Sequence, residues 1–219
     1  MQLSLKKIVI LGPESTGKST LCSQLASHYN TNWCPEYARE YLLQHGTDYS
    51  FDDLLTIAKG QLALEEAYVS STVDRRPSTV DLQPSTVDQP FSGKESQLSV
   101  SDHEQSATFG RRSAVDGRLL FIDTDMYVMK VWCEFVFGQC HSFILDQVVE
   151  RKYDLYLLCK PDLPWVKDEL REYPDLVNRE KLFHMYKDLL MNQPTPWVEI
   201  SGGYDQRLAK AISAVDAIL

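Results

Sequence analysis

Nine consecutive residues, Gly12-Pro13-Glu14-Ser15-Thr16-Gly17-Lys18-Ser19-Thr20, fit the phosphate-cradling pattern G-x-x-x-x-G-K-[ST] without a mismatch. Each residue type has its task. Gly12 and Gly17 let the backbone bend around an anion with no Cβ in the way, so that successive N–H groups point at phosphate oxygens. Lys18 adds a mobile positive charge for the β and γ phosphates, and the Ser19 hydroxyl is placed to ligate Mg²⁺. The chemistry implied is the holding of a nucleoside triphosphate, ATP with Mg²⁺, across residues 12–20.

A second group of residues could act on what the loop holds. Asp123 ends the apolar run Leu119-Leu120-Phe121-Ile122 and occupies the place of an acid that holds Mg²⁺ directly or through water. Asp125, two residues on and on the same face if the strand continues, competes for that role. Glu36, at the end of another short apolar segment, or Asp125 could take the proton of an attacking hydroxyl, and Arg39 could touch a phosphate. Past a later strand, Pro164-Trp165-Val166-Lys167-Asp168-Glu169-Leu170-Arg171 sets cations beside a turn-forming proline. Arg171 is the residue expected to close over the transferred group, with Arg179 as its alternative. Trp33, Tyr37 and Tyr41 lie close to Glu36 and could stack on a flat ring or fill the core.

These residues need a frame. Ile8-Val9-Ile10-Leu11 reads as a buried parallel strand before the phosphate loop, and Ser19–Tyr29 has helical spacing after it. Further strands are expected at 31–37, 118–125, 155–159 and 197–200. Helices are expected at 38–43, at 50–69 behind a Ser50/Asp53 capping box, at 126–137, 141–153 and 204–219, and from a cap near Asn178 to Met191. Alternating strands and helices predict an α/β fold: a parallel sheet with helices on both faces, ligands sitting beyond the carboxyl ends of the strands.

One stretch does not belong to that frame. Ser-Thr-Val-Asp-x-x-Pro recurs from Ser71 and from Ser78, and Ser-, Gln- and Asp-rich sequence continues to Gly117. A proline in each unit forbids a continuous helix and one Val per unit supplies no core. The expectation is a single domain, 1–219, carrying a disordered insertion at 71–117.

Composition narrows the partners. The 219 residues are 43% hydrophobic, enough for one domain with a sizeable core, and the formal net charge of −9 argues against a nucleic-acid surface. Five cysteines without a C-x-x-C pair suggest neither a disulfide framework nor a zinc knuckle. With no apolar run near the roughly 20 residues that span a bilayer, the expected setting is the cytoplasm, away from membranes. A guanine-specific switch is disfavoured because N-K-x-D is missing, although an ATP-switched binding protein fits the same motifs.

Taken in order, GPESTGKST, PEYAREY, FIDTD and PWVKDELR make the chain resemble the ribosylnicotinamide kinase domain of the NadR family, over nearly everything but 71–117. The resemblance implies a nucleoside-kinase-like P-loop NTPase fold. It also implies phosphorylation of nicotinamide riboside at its 5′-hydroxyl by ATP. Full-length members carry a helix-turn-helix and an H-x-G-H adenylyltransferase domain, and neither is found here. This chain is therefore expected neither to bind operator DNA nor to complete NAD synthesis alone.

Overall fold

Strands β1 (Lys6–Leu11), β2 (Asn32–Cys34), β3 (Leu119–Asp123), β4 (Leu155–Cys159) and β5 (Trp197–Ile200) form one sheet in the order β2-β3-β1-β4-β5, every pair parallel. The computed structural model from which this is read describes residues 4–74, 119–167, 169–170 and 172–219. They belong to one compact unit, Met1–Arg75 with Val115–Leu219. The most apolar runs take the centre: β3 and β4 are buried at every position, and the edge strand β5 only at Ile200. Parallel pairing requires a crossover between consecutive strands, and helices supply it.

Those helices are α1 (Lys18–Tyr29), α2 (Tyr37–His45), α3 (Phe51–Asp74), α4 (Met126–Phe137), α5 (Ser142–Glu150), α6 (Leu176–Met191) and α7 (Tyr204–Asp216). The two-residue alternation of a strand sorts its side chains between two cores. Ile8, Ile10, Phe121 and Leu157 pack on Leu21 and Leu25 of α1 and on Ala211 and Val215 of α7. Val9, Leu11, Ile122 and Leu158 meet Val128 and Val131 of α4 and Leu182 and Phe183 of α6. A third cluster joins Tyr41, Ile57, Met129 and Ile144, which ties α2, α3, α4 and α5 together beside the sheet.

Several boundaries differ from the sequence expectation for physical reasons. β2 stops at Cys34 because Pro35 has no N–H for a ladder. The Ser50/Asp53 box forms as expected, with Ser50 N donating to Asp53 Oδ2 at 2.8 Å and Asp53 N to Ser50 Oγ at 3.3 Å. α3 then runs past Val69 to Asp74, since Thr72 is buried and the hydroxyls of Ser70, Ser71 and Thr72 bond back to carbonyls one turn earlier. Residues 71–74 are thus helix, and the rest of the expected 71–117 insertion lies outside the described residues. The cap of α6 is Asp175, whose Oδ1 accepts the Asn178 N–H at 2.8 Å, so Asn178 receives the cap that it was expected to make.

Candidate active site

The phosphate loop leaves β1 at Leu11 and turns through positive φ at Gly12 (144°), Ser15 (56°) and Gly17 (76°). A Cβ on Gly12 would stand 2.5 Å from the carbonyl oxygen of Cys159, so only glycine lets the loop pass the end of β4. Thr16 Oγ1 donates to Pro13 O at 2.8 Å and Lys18 Nζ donates to the same oxygen at 3.1 Å. α1 starts at Lys18 with neither a side-chain cap nor an acidic residue in its first turn. Its leading N–H groups and dipole are therefore left to an anion.

Register brings the acid to the loop. Asp123 pairs with Ile10, two residues before Gly12, and its Oδ2 accepts the Ser19 hydroxyl at 2.5 Å. The carboxylate is fully buried and its Oδ1 accepts no hydrogen bond among the described residues. Burial, and then the charge of Glu36, push Asp123 up to about 6, against the pull of Lys18 and Ser19. An orphaned buried carboxylate oxygen beside a hydroxyl is a hard-oxygen donor set that fits Mg²⁺. Among the described residues no three His, Cys, Asp or Glu side chains cluster as a metal site, so phosphate oxygens would have to complete the coordination.

Thr124 follows with φ at 78° and 1% exposure, a strained conformation for a β-branched residue. It ends β3 and sends its hydroxyl to Glu36 Oε1 at 3.3 Å, linking two strand tips. The turn also breaks the alternation that would have put Asp125 beside Asp123. Asp125 is instead the N-cap of α4, with Oδ1 accepting from Tyr127 N at 3.1 Å and Val128 N at 3.3 Å. It is 2% exposed, does not line the cleft, and is raised to about 7 by burial.

A cleft of about 430 Å³ opens in front of residues 12–20. Glu36, Arg39 and Asp123 line it, as does Trp33. Tyr37 instead lies against the α3 backbone at Gly60, and Tyr41 is core, its hydroxyl on Asp53 Oδ1 at 2.5 Å. The cleft is also lined by residues that no motif marks: Tyr49, Trp132, Tyr186 and Glu172. Tyr49 donates to Glu172 Oε2 at 3.2 Å, and burial raises the Glu172 carboxyl. Each of the four comes from a different element, which is why local sequence does not reveal them.

The segment after β4 leans on the phosphate loop. Glu14 accepts from the N–H groups of Glu172 and Tyr173 at 3.0 and 3.1 Å, and Ser15 Oγ accepts from Val166 N at 2.9 Å. Burial raises the Glu14 carboxyl, partly offset by those N–H groups and by Lys18. Arg171 lies outside the described residues. Arg179 is 5% exposed on α6 and off the cleft, donating to Leu163 O at 3.5 Å, and its Nε meets no partner among the described residues.

A parallel sheet of this order, with an uncapped glycine loop at the end of β1 and an acid at the tip of β3, defines a P-loop kinase-like NTPase fold. A family model described as "AAA domain" matches residues 7–207, and the chain belongs to that family. The trifunctional NAD biosynthesis/regulator protein NadR of Salmonella typhimurium is 24% identical over 222 residues, covering 98% of this chain and 43% of its own length. NadR of Escherichia coli is 25% identical over 216 residues, covering 96% and 42%. The chain thus spans less than half the length of the curated relatives it matches. Among solved structures, NadR protein in complex with NR aligns with TM-score 0.66 at 21% identity, over 97% of this chain and 49% of that one. Thymidylate kinase from Ehrlichia chaffeensis aligns with TM-score 0.56 at 12% identity, over 97% and 99%. No helix among the described residues is long and apolar enough to cross a membrane.

Proposed function

We propose that the protein is an ATP- and Mg²⁺-dependent kinase that phosphorylates the 5′-hydroxyl of nicotinamide riboside, giving nicotinamide mononucleotide and ADP. The observation that carries this reading is the shared cleft. An uncapped helix start, Lys18, Asp123 and Glu36 line one cavity together with aromatic rings and the Glu172 carboxylate. A pyridinium cation is attracted to aromatic faces, here Trp33, Tyr49 and Trp132, and to the negative charge of Glu36 and Glu172. A NadR structure solved in complex with NR, and NadR relatives aligned over nearly the whole chain, support the same acceptor.

The chain's own residues would divide the work as follows. Backbone N–H groups of Gly12 and of residues 14–17, Pro13 having none, and the start of α1 bind the β and γ phosphates, with Lys18 between them. Ser19 and Asp123 would hold Mg²⁺, which supplies positive charge to the phosphates when bound. The riboside oxygen forms a bond to the γ phosphorus as the bond from that phosphorus to the β–γ bridging oxygen breaks. The hydroxyl proton passes to Glu36, and ADP leaves with the bridging oxygen. Arg171 would neutralise charge on the moving group, and the described residues after β4 that meet the phosphate loop, Val166, Glu172 and Tyr173, would help to exclude water. Five free cysteines, four of them buried, support a reducing, cytoplasmic setting.

Purified protein incubated with Mg²⁺, ATP and a panel of ribosides, with products read by mass spectrometry, tests the reading. Nicotinamide mononucleotide is expected, with one ADP per product. Phosphorylation of another nucleoside in its place would move the acceptor within the kinase class. ATP hydrolysis indifferent to every riboside would point to a nucleotide-switched binding protein.

A further inference from the structure

The loop that presents Glu36 is held by a side chain from another helix. Glu36 is the N-cap of α2, yet its carboxylate makes no cap hydrogen bond. A helix start leaves amide donors that need acceptors, and Glu36, longer than the Ser, Thr, Asp or Asn preferred at a cap, takes none of them. Here the Tyr37 N–H donates to Gln61 Oε1 of α3 at 2.7 Å. The same amide sends Gln61 Nε2 to Pro35 O at 3.3 Å and to Cys34 Sγ at 3.6 Å. Gln61 is 1% exposed, so these bonds are made away from water, where leaving either partner unmatched costs about 1–3 kcal/mol.

Those two backbone groups belong to the peptide units on either side of the Glu36 Cα. Gripping both fixes the Glu36 backbone at φ −73° and ψ 116°, and with it the direction of the side chain. Gly60 makes the approach possible. A Cβ there would lie 2.1 Å from Cε1 of the Tyr37 ring, so the ring rests where any other residue would project. A glycine inside a helix is about 1 kcal/mol worse than alanine, and close packing against Tyr37 is what offsets it here.

We propose that Gln61, seated by Gly60, is a positioning residue for phosphoryl transfer: it accepts the first amide of α2 and holds the Pro35 carbonyl, fixing the backbone that aims the Glu36 carboxylate at Thr124 and the acceptor hydroxyl. The proposal rests on the reading of Glu36 as the group that takes the proton. It gives α3, which lines the cleft at Leu54 and Ile57, a defined part in catalysis.

Gln61→Met keeps the length of the side chain and removes all three hydrogen bonds. In the riboside assay, kcat is expected to fall about 10- to 100-fold, the effect of a misplaced catalytic group, with KM for ATP within about twofold. Adding Gln61→Met to Glu36→Gln is expected to lower kcat by less than about threefold more, because one acts through the other. Full multiplication of the two single effects would overturn the proposal. So would Gln61→Met at the parental rate while Glu36→Gln is slow. Glu36→Gln at the parental rate is a different result: it sinks the underlying reading, and the positioning role with it. Amide hydrogen exchange reads the same device without any turnover. In Gln61→Met the Tyr37 amide is expected to exchange at least about tenfold faster while β1 amides keep their protection. Unchanged exchange at Tyr37 would overturn the proposal. Should that variant not fold, Gly60→Ala displaces the Tyr37 ring with Gln61 retained, and it is held to the same kcat, KM and exchange outcomes.

Discussion

The guanidinium of Arg207, on the last helix, donates to the carbonyl of Thr16 in the phosphate loop at 3.0 Å, across 191 positions of sequence. The same group donates to Gly202 O at 2.7 Å and to Lys160 O at 2.9 Å, and pairs with Asp162. One side chain, 2% exposed, thus ties the phosphate loop, the segment after β4 and the turn before α7 into a single seat.

Removing it should be felt both in the fold and at the nucleotide. Arg207→Met would strand the buried carbonyl of Thr16 and the part-buried ones of Lys160 and Gly202 and leave Asp162 without its cation, at a cost of about 3 kcal/mol in urea unfolding. ATP affinity by calorimetry should fall with it, because the Thr16 peptide loses its prop. Arg207→Lys should recover little, since a point charge cannot fork to several oxygens. Parental stability and affinity in both variants would show that the seat is held by other contacts.

The two strand-tip aspartates should separate in kinetics. Asp123 faces the cleft and Ser19, so Asp123→Asn is expected to lower kcat by about 100-fold or more and to raise the Mg²⁺ concentration needed for half activity. Asp125→Asn keeps an oxygen for the Tyr127 and Val128 amides, and kcat should stay within about threefold of the parent. The opposite ranking would transfer the metal-side role to Asp125.

Stability should vary with pH through the same pair. Both carboxyls are raised by burial, Asp123 to about 6 and Asp125 to about 7, above the ordinary value of about 3.9. The unfolded chain releases these protons first, so between about pH 4 and 7 the folded protein holds more of them. Stability from this source therefore falls as pH rises through that window and is level above it. Burial also raises Glu14 and Glu172, with the same sign. Asp125→Asn cancels one contribution, and its stability relative to the parent should improve by on the order of 2 kcal/mol between pH 5 and 7.5. Urea midpoints for the two proteins across that range measure it, and a constant difference would contradict it.

What the sequence makes legible is what is local. Gly12, Gly17, Lys18 and Ser19 form one continuous motif, and the apolar runs of β1, β3 and β4 fill the sheet centre they predict. Asp123 follows because the tip of a buried strand has few places to go. Asp125 was legible as a carboxylate but not as a cap, since the positive φ of Thr124 ends the alternation one residue too soon. Gln61, Trp132, Tyr49 and Glu172 carry no motif, because each acquires its part only when separate elements converge. Arg207 reads as one more cation on an amphipathic helix until its partners, up to 191 positions away, are in place.

The Glu14 contacts give a last prediction, which concerns motion. Glu14 fills a variable position of the phosphate motif, yet its carboxylate is the acceptor for both the Glu172 and Tyr173 amides. Lys167 is exposed on the segment those amides help to hold. Glu14→Ala removes the acceptor without disturbing the glycines, so the segment should open more often while the sheet stays intact. Trypsin cleavage after Lys167 is expected to accelerate about fivefold or more, with global stability lowered by less than about 1 kcal/mol. KM for ATP should rise, because a segment that opens more often returns nucleotide to solvent sooner. Ser15→Ala, which loses the bond from Val166 N at 2.9 Å and a weaker one to Pro164 O at 3.5 Å, should move the same readouts in the same direction by a smaller amount. Cleavage at the parental rate in Glu14→Ala would mean that the segment is held from elsewhere, and that Glu14 serves the phosphate loop alone.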